Sequence, residues 1–126
     1  MNHENTYEYK VRVYTEDVDY MGIVYHANHL CYFERARTEM LRQNNILLSE
    51  LEKADTLFAI SEINIRYLAP ARLDDLLTIT TKMQKLGACS FLFEQEIQNQ
   101  LDKKLCSAQI KVVCVNEQLR PKRFPE

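Results

Sequence analysis

ANHLCYFERARTEMLRQN, residues 27–44, is the one long stretch of this 126-residue chain whose apolar residues recur at helical spacing. Leu30, Phe33, Ala36, Met40 and Leu41 fall three or four apart and make a single apolar stripe. Neither Gly nor Pro interrupts it. Glu34 with Arg37, and Glu39 with Arg42, have the i,i+3 spacing of ion pairs on the wetter side. Just beyond, Ser49 and Glu52 have the spacing of a capping box opening a second, short helix.

On both sides of the helices the period changes to two. Before them, Tyr7, Tyr9, Val11 and Val13 alternate with Glu8, Lys10 and Arg12, which predicts a half-buried strand over 7–15. After them, four more strands are predicted: 60–68 through Ile63, Ile65 and Tyr67; 76–84 through Leu77, Ile79 and Met83; 89–97 through Phe91, Phe93 and Ile97; and 105–115 through Cys106, Ala108, Ile110, Val112 and Cys114. Pro70, Asp74-Asp75, Gly87 and the polar segment 99–104 punctuate them. The tail, RPKRFPE, reads as irregular. Sequential strands with short connections favour antiparallel pairing. One sheet has one face to bury and one long helix is available to cover it. The economical α+β architecture is therefore a curved sheet of about five strands around that helix, in a single domain spanning 1–126.

Composition narrows the function. The chain is 46% hydrophobic and 27% charged, with net charge −2 and scattered basic residues, so no electrostatic case exists for a nucleic-acid partner. No apolar run reaches the ~18 residues of a membrane span, and the N-terminal MNHENTYEYK has no signal-peptide core. The cytoplasm is the expected location, without stable membrane insertion. Cys31, Cys89, Cys106 and Cys114 show no C-x-x-C spacing and are expected to be free, buried thiols. With two Gly and three Pro, the turns must rely on Asn, Asp and Gln. A chain this small buries only about two-thirds of its unfolded surface, so a sizeable ligand site calls for a subunit interface.

The loop 16–26, EDVDYMGIVYH, is where chemistry concentrates: Glu16, Asp17, Asp19, Gly22, Tyr25 and His26 within eleven residues. Gly22 permits an unusual backbone conformation or a close ligand approach. The helix start that follows offers free N–H groups and a positive dipole end, suited to a developing oxyanion. A carboxylate close before such a helix start is a plausible hydrolytic pair, although acids in that place more often act as caps.

The run VRVYTEDVDYMGIVYHANHLCYFERARTEMLR, 11–42, resembles the signature of the 4-hydroxybenzoyl-CoA thioesterase class, and is most similar to its bacterial Tol-Pal-associated acyl-CoA thioesterase branch. The core reads D-x-D-x-x-G-x-V-Y-H-x-N, followed by F-E-R-A-R; RYLAPARLDD (66–75), CSFLFEQEI (89–97) and the terminal RPKRFPE also match, so the likeness covers roughly 8–126. The resemblance implies a hotdog fold and paired subunits with the active site between them, usually assembled as tetramers from dimers. It implies hydrolysis of an acyl-CoA, or of a thioester on acyl carrier protein, with no metal or redox cofactor. By position, the family's catalytic carboxylate falls on Asp19 and its carbonyl-polarising backbone N–H on His26, whose imidazole would position substrate or water. Gly22, Tyr25 and Asn28 fall among the substrate-binding positions. Asp19 would attack the thioester carbonyl or act as general base on water; the sequence does not choose.

Each residue has a plainer reading. Asp17 fits a structural acceptor of loop N–H groups, and Asn28 a cap or anchor of the helix start. His26 and His29 form H-x-x-H, but two ligands are too few for a catalytic zinc, and Cys31 lies on the apolar helix. Tyr14 suits an acyl pocket or packing on the sheet equally. Arg66 and Arg72 could bind phosphate or pair with Glu62 and Asp75, and pairing is the expected reading. One departure is clear: where aromatic-acyl relatives carry basic residues before the Ser-Phe of the fourth strand, this chain reads Gly87-Ala88-Cys89-Ser90-Phe91. No CoA site is carried over; Lys82, Lys85, Arg120 and Lys122 are candidates by charge alone. Two other functions are open to the same residues: a hotdog acyl-CoA hydratase using His26 or His29, and a non-catalytic module binding acyl carrier protein or envelope partners.

Overall fold

The computed structural model describes residues 6–124; the first five residues and the last two of the tail lie outside them. In chain order the elements are β1 (Tyr7–Arg12), a 3-10 turn (Thr15–Asp17), α1 (Asn28–Gln43), α2 (Leu48–Lys53), β2 (Leu57–Tyr67), β3 (Leu76–Lys85), β4 (Ser90–Gln98) and β5 (Lys104–Val115). The strands form one antiparallel sheet in the order β1-β3-β4-β5-β2. Helix and strands fall within a few residues of where the periodicities place them. β2 starts three residues earlier than expected, at Leu57, and β1 ends three earlier, at Arg12, because Val13 leaves the ladder to bond Asp75 O and Asp74 N.

The inner face of the sheet is the alternating set read from the sequence. Met83 stands opposite Phe93, and Phe93 opposite Ile110; Ile79, Ile97 and Cys106 line up in the same way. Tyr32, Phe33, Ala36, Met40 and Leu41 of α1 are buried with them. Each large apolar side chain removed from water contributes roughly 1.5–3 kcal/mol. The helix packs on β1 and β3, reaches Gln95 of β4, and its N-terminal turn meets Tyr67 at the end of β2. The helix thus reaches from one edge strand of the sheet to the other.

Several local expectations are corrected. Arg37 does not pair with Glu34 on the wetter side. It is buried, and its Nη1 donates to Gln95 Oε1 at 3.0 Å. Gln95 in turn donates to Phe33 O (3.0 Å) and Thr81 Oγ1 (2.9 Å), tying helix to sheet. A buried guanidinium needs such a partner; its burial lowers the Arg37 pKa, and nearby Glu34 opposes that. Glu34 instead accepts from Thr38 Oγ1. The Glu39–Arg42 pair is present at 3.2 Å.

The capping box is not made. The N-cap of α2 is Leu47, without a side-chain cap, and Ser49 lies inside the helix. Ile46, just before that helix, and Leu51 within it pack against the core. The tail is less irregular than it reads: Pro121 bridges to Val115, and buried Phe124 stacks on Phe58 and meets Phe91 edge-on. Cys106 and Cys114 are buried, Cys89 is half-buried and Cys31 is exposed; all four are free. Burial pushes the Cys106 thiol up to about 12.

The scarcity of glycine is met as anticipated. Asn45, Asp55, Asp74 and Asp102 take the left-handed conformation in turns, joined by Leu119; short polar side chains tolerate that region best. Asn99 and Asn116 hold their turns by accepting backbone N–H bonds from residues two and four ahead.

Candidate active site

Between the 3-10 turn and α1 the chain folds back on itself. Val18 bridges to Val24, and Ile23 to Arg72 in the β2–β3 connection. Asp19 N donates to Ile23 O and Gly22 N to Asp19 O, both at 3.0 Å, with Gly22 at φ +76°. A side chain would strain that turn. Val24 N donates to Ala71 O (2.8 Å) and Leu73 N to Gly22 O (3.1 Å), docking the loop on the connection by backbone bonds.

The two acids of the D-x-D unit are held differently. Asp17 uses both oxygens inside the loop: Oδ2 accepts Tyr14 N–H at 2.9 Å, and Oδ1 accepts Asn28 Nδ2 at 3.1 Å. It is the structural acceptor anticipated above, and Asn28 anchors the helix start through it; the N-cap position is Ala27, in αR conformation. Asp19 is half-buried, and its Oδ1 accepts Met21 N–H at 2.9 Å. Its second oxygen has no hydrogen-bond partner among the described residues.

His26 and Ala27 carry the first N–H groups of the helix start, and neither has an acceptor among the described residues. The Tyr25 carbonyl accepts Asn28 N–H at 2.9 Å. The His26 carbonyl accepts Tyr67 Oη at 2.7 Å, His29 Nδ1 at 3.0 Å and, more weakly, His29 N at 3.4 Å. A carbonyl only accepts, so the proton of neutral His29 is on Nδ1. The His26 ring is exposed, 4.5 Å from the Tyr25 ring and edge-on to Tyr67. His29 is buried against Tyr32 and Tyr67; burial lowers its pKa, offset in part by the carbonyls of His26 and Tyr25. The buried Tyr32 hydroxyl lies beside Asp17 and Asn28 without a well-formed hydrogen bond, and burial raises its pKa.

Asp19, Gly22, Tyr25, His26 and Asn28 thus share one loop and helix start. Tyr67 belongs with them and was missed, because in the alternation of its strand it reads as an ordinary inward residue. Tyr14 is exposed beside the loop. The remaining expected partners differ. Arg72 offers its backbone N–H, not its guanidinium, to Asp75, and no ion pair joins Arg66 to Glu62 among the described residues. Lys122 Nζ is occupied by the Ala54 and Asp55 carbonyls at the end of α2. No three His, Cys, Asp or Glu side chains converge as metal ligands among the described residues. A groove of about 440 Å³ opens on the outer face of the sheet, lined by Arg66, Lys82, Glu94 and Glu96 among others. No residue of the loop lines it, so its size does not make it the site of the chemistry.

The profile of the thioesterase-like superfamily matches residues 13–126. The acyl-CoA thioester hydrolase YbgC of Escherichia coli is 39% identical over 121 residues, covering 95% of this chain and 90% of its own. The acyl-CoA thioesterase YbgC of Haemophilus influenzae is 40% identical over 126 residues, covering 98% and 91%. The crystal structure of a probable thioesterase from Bartonella henselae superposes with a TM-score of 0.91 at 33% identity, covering 96% of this chain and all of that one. A curved five-stranded sheet holding one long helix, and kinship over nearly the whole length, agree: the chain belongs to the thioesterase-like superfamily of hotdog-fold proteins.

Proposed function

We propose that this chain is an acyl-CoA thioesterase with Asp19 as its catalytic carboxylate and the His26 backbone N–H as the group that polarises the thioester carbonyl. Kinship with named acyl-CoA thioester hydrolases supports the reaction class. The observation that carries the site is the contrast within one loop: Asp17 has both oxygens engaged, Asp19 keeps one free, and the helix start seven residues on presents an unpaired N–H. As nucleophile, Asp19 forms a C–O bond to the acyl carbon. The C–S bond breaks, the thiolate takes a proton from solvent, and water then cleaves the mixed anhydride to free acid and carboxylate. As general base, Asp19 takes a proton from the water that attacks the same carbon; the C–S bond then breaks and the protonated Asp19 returns that proton to the leaving thiolate. Either way, negative charge builds on the carbonyl oxygen, where an N–H donor is worth roughly 3 kcal/mol. Gly22, Tyr25, Asn28 and the His26 ring line the approach to that carbon.

The substrate is an acyl-CoA or the same acyl group on acyl carrier protein, and the setting is the cytoplasm, where the four free thiols stay reduced. The working unit is a dimer, doubled to a tetramer. β2 is an edge strand with Ile60, Ile63 and Tyr67 exposed, as is Leu68 just beyond it. Pairing that edge across a two-fold axis covers it, and brings a second wall to the loop that Tyr67 fastens to the end of that strand. Thiol release from a panel of acyl-CoAs of differing length tests the activity. Release from none of them, with folded protein, overturns it. Light scattering at micromolar concentration tests the assembly: a fully active 14.9 kDa monomer rules out a shared site.

A further inference from the structure

The His26 carbonyl draws two side-chain donors from far apart in the chain. The Tyr67 hydroxyl arrives at 2.7 Å from the last residue of β2, and the His29 ring at 3.0 Å from the first turn of α1. Together they engage both lone pairs of one oxygen. Tyr67 is itself braced, its ring edge-on to His29 at 5.0 Å and to His26 at 6.2 Å. On the other side of His26, the Tyr25 carbonyl is fixed by Asn28 N–H. Both peptide units flanking the His26 Cα are therefore held by their carbonyls, while the His26 and Ala27 N–H groups have no acceptor among the described residues.

We infer that Tyr67 is a positioning residue of the oxyanion site: its hydroxyl, with His29 Nδ1–H, clamps the His26–Ala27 peptide. That sets the Ala27 N–H directly, and the His26 N–H, in the preceding peptide held by Asn28 N–H, through the shared His26 Cα, before the thioester arrives. This rests on the reading of His26 as the polarising amide. A donor aimed in advance needs no reorganisation as charge develops, which is what makes it effective. Donation into the His26 carbonyl also polarises its own peptide unit and strengthens Ala27 N–H as a donor. The plainer role for Tyr67 is to fasten the end of an edge strand to the helix. That role predicts a change in stability and none in the chemical step. Removing the hydroxyl alone leaves the ring and its edge-on contacts with His29 and His26 in place.

Tyr67→Phe removes the hydroxyl and keeps the ring. In the full chain, the single-turnover rate and kcat on the best acyl-CoA are expected to fall about tenfold, a fraction of the loss of a whole oxyanion donor. KM should stay within about twofold, and the Ala27 amide should shift in the ¹H–¹⁵N spectrum while amides of β3 and β4 stay put. Asp19→Asn is assayed in parallel. If Asp19→Asn is inactive and Tyr67→Phe turns over at the wild-type rate, the positioning role is wrong and the site reading stands. If Asp19→Asn keeps the wild-type rate, the site reading fails and the inference falls with it. A Tyr67→Phe loss explained by a lower melting temperature, with the Ala27 amide unmoved, assigns Tyr67 the fastening role and overturns the inference.

Discussion

Residues 16–27 and α1 are neighbours in sequence and opposites in construction. The loop buries one side chain, Val24, and is held by backbone bonds: to itself at Asp19, Ile23 and Gly22, and to the β2–β3 connection at Ala71 and Leu73. The helix buries seven of its sixteen side chains and is held by them. Stability in the helix is therefore written in side chains, whereas in the loop it is written in backbone geometry. Asp17 apart, whose carboxylate holds Tyr14 N–H and Asn28, the loop's side chains are free to carry chemistry, and substitutions at those positions should separate activity from folding.

The sharpest separation is at Asp19. Asp19→Asn keeps the size of the side chain and an oxygen able to accept Met21 N–H. It removes the charge needed for attack or base catalysis. The expected result is a fall in kcat of at least about a hundredfold, ~3 kcal/mol of barrier, with an unchanged melting temperature. A folded variant at wild-type rate breaks the assignment of chemistry to this loop.

The mirror experiment is in the helix. Phe33 is fully buried and Met40 nearly so, both inside the cluster formed by β3, β4 and β5. Truncating either to Ala leaves a cavity and should cost on the order of 2–5 kcal/mol of unfolding free energy, read from denaturant titration. Melting curves unchanged in both variants would mean that α1 does not anchor the core.

What was legible in the sequence follows the same division. Periodicity reports which face of an element is buried, and so the core stripe of α1 and the inner faces of β3, β4 and β5 could be read directly. It does not report which strand lies at the edge. Ile63 and Tyr67 alternate as Phe91 and Phe93 do, yet the first pair is exposed and the second buried, because β2 has a neighbour on one side only. Arg37 was misplaced for a related reason. A charge at helical spacing reads as surface, and the partner that permits its burial, Gln95, is 58 residues away. Phe124 in a Pro-rich tail gives no periodic signal at all. In the loop the candidate residues were named through the resemblance; that Asp17 accepts a loop N–H fits its plainer reading, while its bond to Asn28 was not foreseen. Nor was Tyr67, since its role is a single hydrogen bond across 41 residues.

The smallest effect expected tests the seam between the two regions, at His29. It stands in the first turn of the helix, but its ring turns back to the loop carbonyl at His26. Its pKa in the folded chain is lowered, first by burial, while in the unfolded chain it titrates near the ordinary value of about 6.5. The unfolded state therefore takes up a proton at a pH where the folded state resists it, and stability rises with pH across that interval. The His29 contribution is complete above about pH 6.5. It is lost progressively as pH falls from there toward the lowered folded value. His29→Gln replaces the ring by an amide that does not titrate and can still donate to the His26 carbonyl. The melting temperature of the wild type should drop more between pH 8 and pH 5 than that of the variant. Equal drops would mean that the ring is solvated enough to take its proton in the folded state, and that the seam between loop and helix is open rather than packed.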